Sequence, residues 1–394
     1  MKLPSRSARA DILKQLRNEK MARSAHAYVR GSTVQFYEWL HSQRGRRLPQ
    51  GPHVWICGDC HAGNLGPTGD RHGQIGMHIR DLDQTVIGNP VHDLVRLALS
   101  LATAARGSDL PGVTTARMLE EMMRGYMQAF KLRPGTELER PPQVASGMRS
   151  AVKRTWKHLA KERIDNARPT IPQGKSFWPL ARDEKSAIQA LCATPELHQL
   201  VTSLKGRPDD AEVELLDAAY WVKGCSSLGL LRYAVLLGVG TGDDQEYCLI
   251  DVKQAVAAAA PRASRTHMPR DNAKRVVEGA RQLSPALGER MLATRFLDQG
   301  VFIRELLPQD MKLDIDNLSQ TDAMAAAAYL AQVVGVAHAR QMDAATRKAW
   351  LADLQLNHAK DLAAPSWLWT SVVQLVGSHE QGYLEHCRQW ALGR

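Results

Sequence analysis

Residues 54–96, VWICGDCHAGNLGPTGDRHGQIGMHIRDLDQTVIGNPVHDLVR, constrain this chain more than any other stretch. An apolar strand leads in at 54–57 and an apolar helix leaves at 93–105. Between and at the edge of them stand Asp59, His61, Asn64, Asp81, Asp83, His92 and Asp93. Burying so many polar groups costs several kcal/mol unless each finds a partner. Such density between two apolar elements marks a site.

The chain of 394 residues is long for one core, so two packed bodies are expected. Hydrophobic content of 44% and charged content of 23% are those of a globular protein and exclude long disorder. No apolar run is long enough to span a bilayer, and the basic N-terminus has no apolar core of a signal peptide. The six cysteines are sparse, which suits free thiols and a cytoplasmic location. The net charge of +10 is spread along the chain with acids interleaved, so an anionic small molecule such as a nucleotide is expected rather than sequence-directed nucleic-acid binding. No membrane partner is expected.

Taken in order, residues 1–24 read as a charged helix or arm. Residues 25–31 read as a short strand or turn, and 32–44 as a helix. Residues 113–132 carry apolar positions at helical spacing after a Thr start signal. Residues 134–142 look like a linker, and 143–205 are helical patterns interrupted by Pro169, Pro172 and Pro179. The texture changes near residue 211. Runs at 217–224, 229–238 and 247–255 are strand-like and separated by Gly-rich or Asp/Gly turns. A helix follows at 272–283, then a strand at 300–307. Helical patterns return at 321–340 and 366–390.

Gly58-Asp59-x-His61-x-Gly63-Asn64 places a carboxylate and an amide five residues apart in a loop, and Asp81-x-Asp83 follows seventeen residues after the amide. Hard divalent cations take a few carboxylate and amide oxygens together with phosphate oxygens. A carboxylate left off the metal can orient or deprotonate a hydroxyl. An Asp, an Asn and a second Asp therefore suffice for phosphoryl transfer, where positioning and charge neutralisation dominate.

The loop GDCHAGN resembles the catalytic loop of aminoglycoside-phosphotransferase-like kinases, and RDLDQTVIGNPVHDL resembles their metal segment. Gly88, Pro90 and Asp93-Leu94 fall at that family's spacing from Asp81. A closer resemblance is to the bacterial domain of unknown function 2252 family. It is carried by Tyr28-Val29-Arg30-Gly31, the loop at 58–66, the D-x-D-x-T segment, G-x-x-S-x-G, V-K-x-A and R-V-V-E-G. It covers about residues 20–345. The resemblance implies Asp59 as catalytic base, Asn64 and Asp81 as Mg²⁺ ligands with Asp83 assisting, and Asp93, His61 and Arg30 as support. One departure is Cys57, which stands where the kinases usually carry His.

It also implies a nucleotide-holding part, and the 58 residues before Asp59 do not read as one. The downstream β-rich block does. The turn at 223–229, with Gly224, Ser226, Ser227 and Gly229, would meet phosphates through backbone N–H groups. Lys253 on the third strand would reach the α- and β-phosphates, Glu278 on the next helix would pair with it, and 302–307 would receive adenine. The segment 328–338 resembles the helix that precedes the catalytic loop in those kinases. The expected fold is therefore α+β: a protein-kinase-like two-lobe fold in circularly permuted order. Its parts would be a helical lobe (1–205), an antiparallel-sheet nucleotide lobe (206–319), and C-terminal helices completing the first (320–394).

The expected activity is Mg²⁺- and ATP-dependent phosphotransfer to an unidentified hydroxyl on a small molecule or protein. A metal-dependent phosphoesterase, a nucleotide-binding module without kinase activity and a nucleotidyl transferase remain open beside it.

Overall fold

Local patterns become elements as follows in the computed structural model, which describes residues 8–42, 48–133, 135–153, 169–204, 206–225, 227–242, 245–307, 310, 318–355 and 364–390. Helices α1 (Arg9–Met21), α2 (Ala25–Gly31) and α3 (Thr33–Ser42) come first. The segment expected as a strand or turn at 25–31 is thus a helix. Seven residues are too few to display a period, and Ser24 settles the matter by accepting a hydrogen bond from the Ala27 N–H at 3.1 Å.

Strands β1 (Val54–Ile56), β2 (Leu65–Gly69), β3 (Ile75–Ile79) and β4 (Val86–Gly88) form two small antiparallel ladders, β1 with β4 and β2 with β3. Helix α4 (Val91–Gly107) is buried on nearly every side, as its apolar sequence requires. Helices α5 (Gly112–Ala129) and α6 (Pro142–Lys153) follow.

A second region begins with β5 (Phe177–Trp178), α7 (Arg182–Cys192) and α8 (Pro195–Thr202). Then come β6 (Val213–Trp221), β7 (Arg232–Val239), β8 (Glu246–Gln254), α9 (Asn272–Leu283), α10 (Pro285–Gly288), β9 (Met291–Phe296) and β10 (Gln299–Leu306). These make one antiparallel sheet in the order β5-β6-β7-β8-β10-β9. Period-two alternation gives the sheet two buried faces. Tyr233, Val235, Ile250, Val252 and Ile303 pack with Leu13 of α1 and with α7 and α8. Ala219, Trp221, Ala234, Leu249 and Leu306 form the other face, with Ile171 and Phe177.

Packing therefore does not follow a division at residue 205, since α1, β5, α7 and α8 belong to the sheet. A buried ion pair of Arg9 with Glu184, at 2.8 Å, ties α1 to α7. Helices α11 (Gln320–Ala339), α12 (Ala344–Gln355) and α13 (Ser366–Trp390) close the described chain. Helix α11 lies along α5 and α13 lies on α4, so the C-terminal helices share one hydrophobic core with residues 29–148. Strands β5 and β9 and helix α12 have no counterpart in the sequence reading. The architecture is mixed, with helices and antiparallel sheets. Among the described residues no helix is long and apolar enough to cross a membrane.

Candidate active site

The sequence distance between the two acidic motifs is closed by the two small ladders. In the β2–β3 hairpin Leu65 pairs with Ile79, so Asn64 and Arg80 face each other and the Arg80 N–H donates to Asn64 O at 2.7 Å. Asp81 follows directly. In the β1–β4 ladder Ile56 pairs with Val86, and Thr85 Oγ1 donates to Ile56 O at 2.6 Å. The loop at 57–64 is thereby pressed against the segment at 80–85. Gly58 makes this possible: its φ is +75°, and a Cβ there would stand 2.1 Å from Gln84 O.

The loop is braced from below by Asp93, in the first turn of α4. Its carboxylate accepts from the Cys57 N–H at 2.7 Å and the Gly58 N–H at 2.9 Å. Asp93 thus braces the loop and is not the helix N-cap, which is Pro90. His338 Nε2 lies 3.1 Å from the same carboxylate, and Nδ1 of that ring lies 2.9 Å from Tyr126 Oη. Trp350 Nε1 donates to Tyr126 Oη at 3.1 Å. Indole can only donate and a carboxylate can only accept, so Trp350 donates into this Trp350–Tyr126–His338 chain and His338 Nε2–H donates out of it to Asp93. Just beyond α11, Gln341 both accepts from Trp55 N–H (2.8 Å) and donates to Trp55 O (3.1 Å), covering the open edge of β1.

Asp59 is buried, with Oδ1 receiving the Arg96 Nε–H at 2.9 Å. His61 Nε2 is 4.0 Å from Oδ2. Burial raises the Asp59 carboxyl above its ordinary pKa, against the pull of Arg96. Burial, with the charges of Arg30 and Arg96, holds His61 well below the usual imidazole range, so the ring is neutral. Asn64 donates its amide N–H to Asp59 O at 3.0 Å, and among the described residues no donor meets its amide oxygen.

Lys253, on β8, is buried and reaches the segment at 80–85. It pairs with Asp83 Oδ2 and stands 3.6 Å from Asp81 Oδ1, with its ammonium 5.8 Å from the centre of the Phe302 ring. Half of the Asp81 side chain is open, yet the protein packed round it still works against its charge; Lys253, Arg304 and Arg232 outweigh that and hold the carboxyl well below the usual range. Asp83 behaves oppositely: burial and the charge of Asp81 push it up to about 7. Two carboxylates sharing one lysine separate in just this way. Asp83 Oδ1 is buried without a hydrogen-bond partner.

The sheet contributes further charge. Arg232 pairs with Asp251 at 2.5 Å, and Arg304 donates to Arg80 O at 3.0 Å. Lys253 lies on a strand of the sheet and faces Asp81 and Asp83, but Glu278, expected to pair with it, is not its partner. Glu278 lies 3.7 Å from Arg281 and receives a hydrogen bond from Gln282, both on its own helix. Helix α9 is held instead by Arg275, which donates to the carbonyls of Thr85, Asp83 (3.1 Å) and Val256 (2.8 Å).

The turn between β6 and β7 has Gly224 at φ +101° and Gly229 at φ +104°. Lys20 Nζ donates to Gly224 O at 3.0 Å, and Ser227 is buried. Of the backbone N–H groups expected to meet phosphate, those of Lys223 and Leu228 are already engaged, on Trp221 O and Cys225 O; just beyond the turn, Leu230 N–H donates to Ser227 O. Ser226 lies outside the described residues. All six cysteines are free thiols.

Arg96 escapes sequence reasoning, although a signal exists: it sits three residues after Asp93, on the same face of an otherwise apolar helix. His338, Arg232 and Arg275 offer no such local signal, because their partners lie at distant points of the chain.

Among the described residues no three His, Cys, Asp or Glu side chains gather into a metal-ligating cluster. What the site offers is Asp81, Asp83 and the free amide oxygen of Asn64. That set fits Mg²⁺, which is bound through one or two carboxylates and completes its shell with water and phosphate oxygens. The unpartnered Asp83 Oδ1 is consistent with it.

No curated protein and no solved structure matches the chain. A family model described as "Uncharacterized protein conserved in bacteria (DUF2252)" matches residues 9–389. With nearly its whole length matched, from α1 to the end of α13, the chain belongs to the DUF2252 family.

Proposed function

We propose that this chain is a Mg²⁺-dependent ATP phosphotransferase with a protein-kinase-like architecture in circularly permuted order. One observation carries the reading: the lysine of a sheet strand pairs with two aspartates of a segment that a β-hairpin holds beside Asn64 and Asp59. Nucleotide-side and acceptor-side groups, 170 to 194 residues apart in sequence, thus meet at one place.

Asp81 and the Asn64 amide oxygen would hold Mg²⁺, with Asp83 assisting. The ion supplies charge neutralisation to the phosphate oxygens. Lys253 exchanges its carboxylate partners for the α- and β-phosphates. Asp59, fixed by Arg96 through Oδ1, keeps Oδ2 for the acceptor hydroxyl and takes its proton. Its raised pKa makes it a better base than an exposed aspartate. Asp93 and the Trp350–Tyr126–His338 chain keep the loop rigid, as positioning by fractions of an ångström demands.

The permuted order is supported by Gln341. It brings the end of α11 onto Trp55, two residues before the catalytic loop. Joining the C-terminal helices to β1 at that point would restore helix, loop and metal segment in succession. The succession β6, β7, β8, α9, β9, β10 likewise gives the expected hairpin, strand lysine, helix and final strand.

Thermal denaturation with ATP, ADP and GTP, each with and without Mg²⁺, tests the reading on wild type and Asp81→Ala. A nucleotide at 100 times its dissociation constant should add roughly 2.7 kcal/mol to wild type. The Mg²⁺-dependent part should vanish in Asp81→Ala. No Mg²⁺-dependent response to any nucleotide in wild type would sink the phosphotransferase reading.

A further inference from the structure

Arg30 ends α2 with its guanidinium laid against the catalytic loop. A Cβ on Gly63 would stand 3.3 Å from Arg30 Cζ, from Arg30 Nε and from His61 Cε1. The residue at 63 has no side chain, and the guanidinium and the imidazole crowd the place where one would start. Yet each group keeps one buried nitrogen that no described residue satisfies. Arg30 Nε and His61 Nδ1 are both buried without a hydrogen-bond partner, and His61 is only 4% exposed.

Arg275 spends its guanidinium on three backbone carbonyls, and four other buried arginines have carboxylates. Arg9 has Glu184, Arg96 has Asp59, Arg232 has Asp251 and Arg290 has Asp310. Arg30 makes no ion pair among the described residues. Its surroundings add charge of the same sign: Lys20, Arg30 and Arg17 all act on the Cys225 thiol in the facing turn. A part-buried guanidinium without a counter-ion, beside an unsatisfied imidazole, lacks an anion. A planar, charged donor fork favours phosphate and carboxylate oxygens.

We propose that Arg30 and His61 form an oxyanion-holding site on the 61–63 flank of the catalytic loop, so that the phosphoryl acceptor is a hydroxyl compound bearing a phosphate or carboxylate group. The assignment to an acceptor rests on the phosphotransferase reading above; the oxyanion site does not. Nucleotide phosphates have their own cation in Lys253, which lies against Asp81 and Asp83. Arg30 touches different residues, His61 and Gly63.

The test titrates the full chain with inorganic phosphate, and separately with malonate, against sodium chloride of equal ionic strength, with no nucleotide or Mg²⁺. Wild type should respond saturably to at least one anion, and the preferred one identifies the acceptor's anionic group. Arg30→Gln should weaken that response about tenfold or more, Arg30→Lys less, and Lys253→Met hardly at all. Saturating Mg-ATP should leave the wild-type response in place. Urea midpoints report whether each variant folds, and His61→Asn carries the test should Arg30→Gln not.

An equal response in wild type and Arg30→Gln overturns the site. Loss of the response in Lys253→Met, or its abolition by Mg-ATP, also overturns the assignment, because the anion would then occupy the nucleotide's place. A response to phosphate or malonate with none to Mg-ATP keeps the oxyanion site and removes the acceptor assignment. The reverse pattern keeps the phosphotransferase reading and removes the site.

Discussion

Asp93 and the pair Asp81–Asp83 belong to the same short stretch and have the same chemistry, but their surroundings differ. Asp93 is fully buried and receives two backbone N–H groups and an imidazole N–H. Asp81 is 50% exposed at its side chain and Asp83 22%, and they compete for one lysine. A saturated, dry carboxylate is a structural part, because nothing can reach it and removing it strands its donors. An undersatisfied, accessible pair beside a free amide oxygen is open to a ligand.

Substitutions can break that contrast. The largest effect is expected for Asp93→Ala, which leaves Cys57 N–H, Gly58 N–H and His338 without an acceptor. Urea denaturation should show a loss of about 3–5 kcal/mol. A loss below about 1 kcal/mol would mean the loop stands without its brace.

Acid should act next, and on the buried side. His379, on α13 against α4, is held down to about 4 by burial, with Arg96 adding to the effect. The unfolded ring takes its proton near 6.5, so between that value and about 4 the unfolded state binds more protons. Stability from this group is complete above 6.5, declines as pH falls, and is lost through about 4. At pH 5 the deficit is about 2 kcal/mol. His379→Gln should remove that share of the pH dependence; an unchanged slope would show the ring to be protonated in the folded state.

On the open side, Asp81→Asn should change ligand-free stability by about 1 kcal/mol or less. The same substitution should abolish Mg²⁺-dependent nucleotide stabilisation, and a variant that keeps it would place the metal elsewhere. Smallest of all is Glu278→Ala, which removes only an exposed contact on its own helix and should stay within about 0.5 kcal/mol. Should Glu278→Ala instead abolish the nucleotide response, a Lys253–Glu278 pair would have to form in the bound state.

Much of the architecture was legible because its causes are local. Helix α9 and strands β6 to β8 announce themselves by period, by Asp271 at a helix start and by Gly-rich turns. Where a segment was too short to show a period, reading failed: α2 passed for a strand or turn, and the two-residue β5 went unseen. Motif spacing singled out the loop at 58–64 and the segment at 81–94 as a pair, but the hairpin that returns Arg80 to Asn64 went unread.

The sequence by itself determined which side chains the 54–96 stretch carries, how far apart they fall, and which strands and helices flank them. Only the tertiary structure decided their partners: Lys253 for Asp81 and Asp83, Arg96 for Asp59, His338 for Asp93, and Arg281 rather than Lys253 for Glu278. The physical reason is range. Backbone preference and periodicity act over a few residues, while a pairing across 170 or 245 residues depends on how two packed cores bring their faces together. Whether a carboxylate ends up dry and saturated or wet and available is set at that level alone.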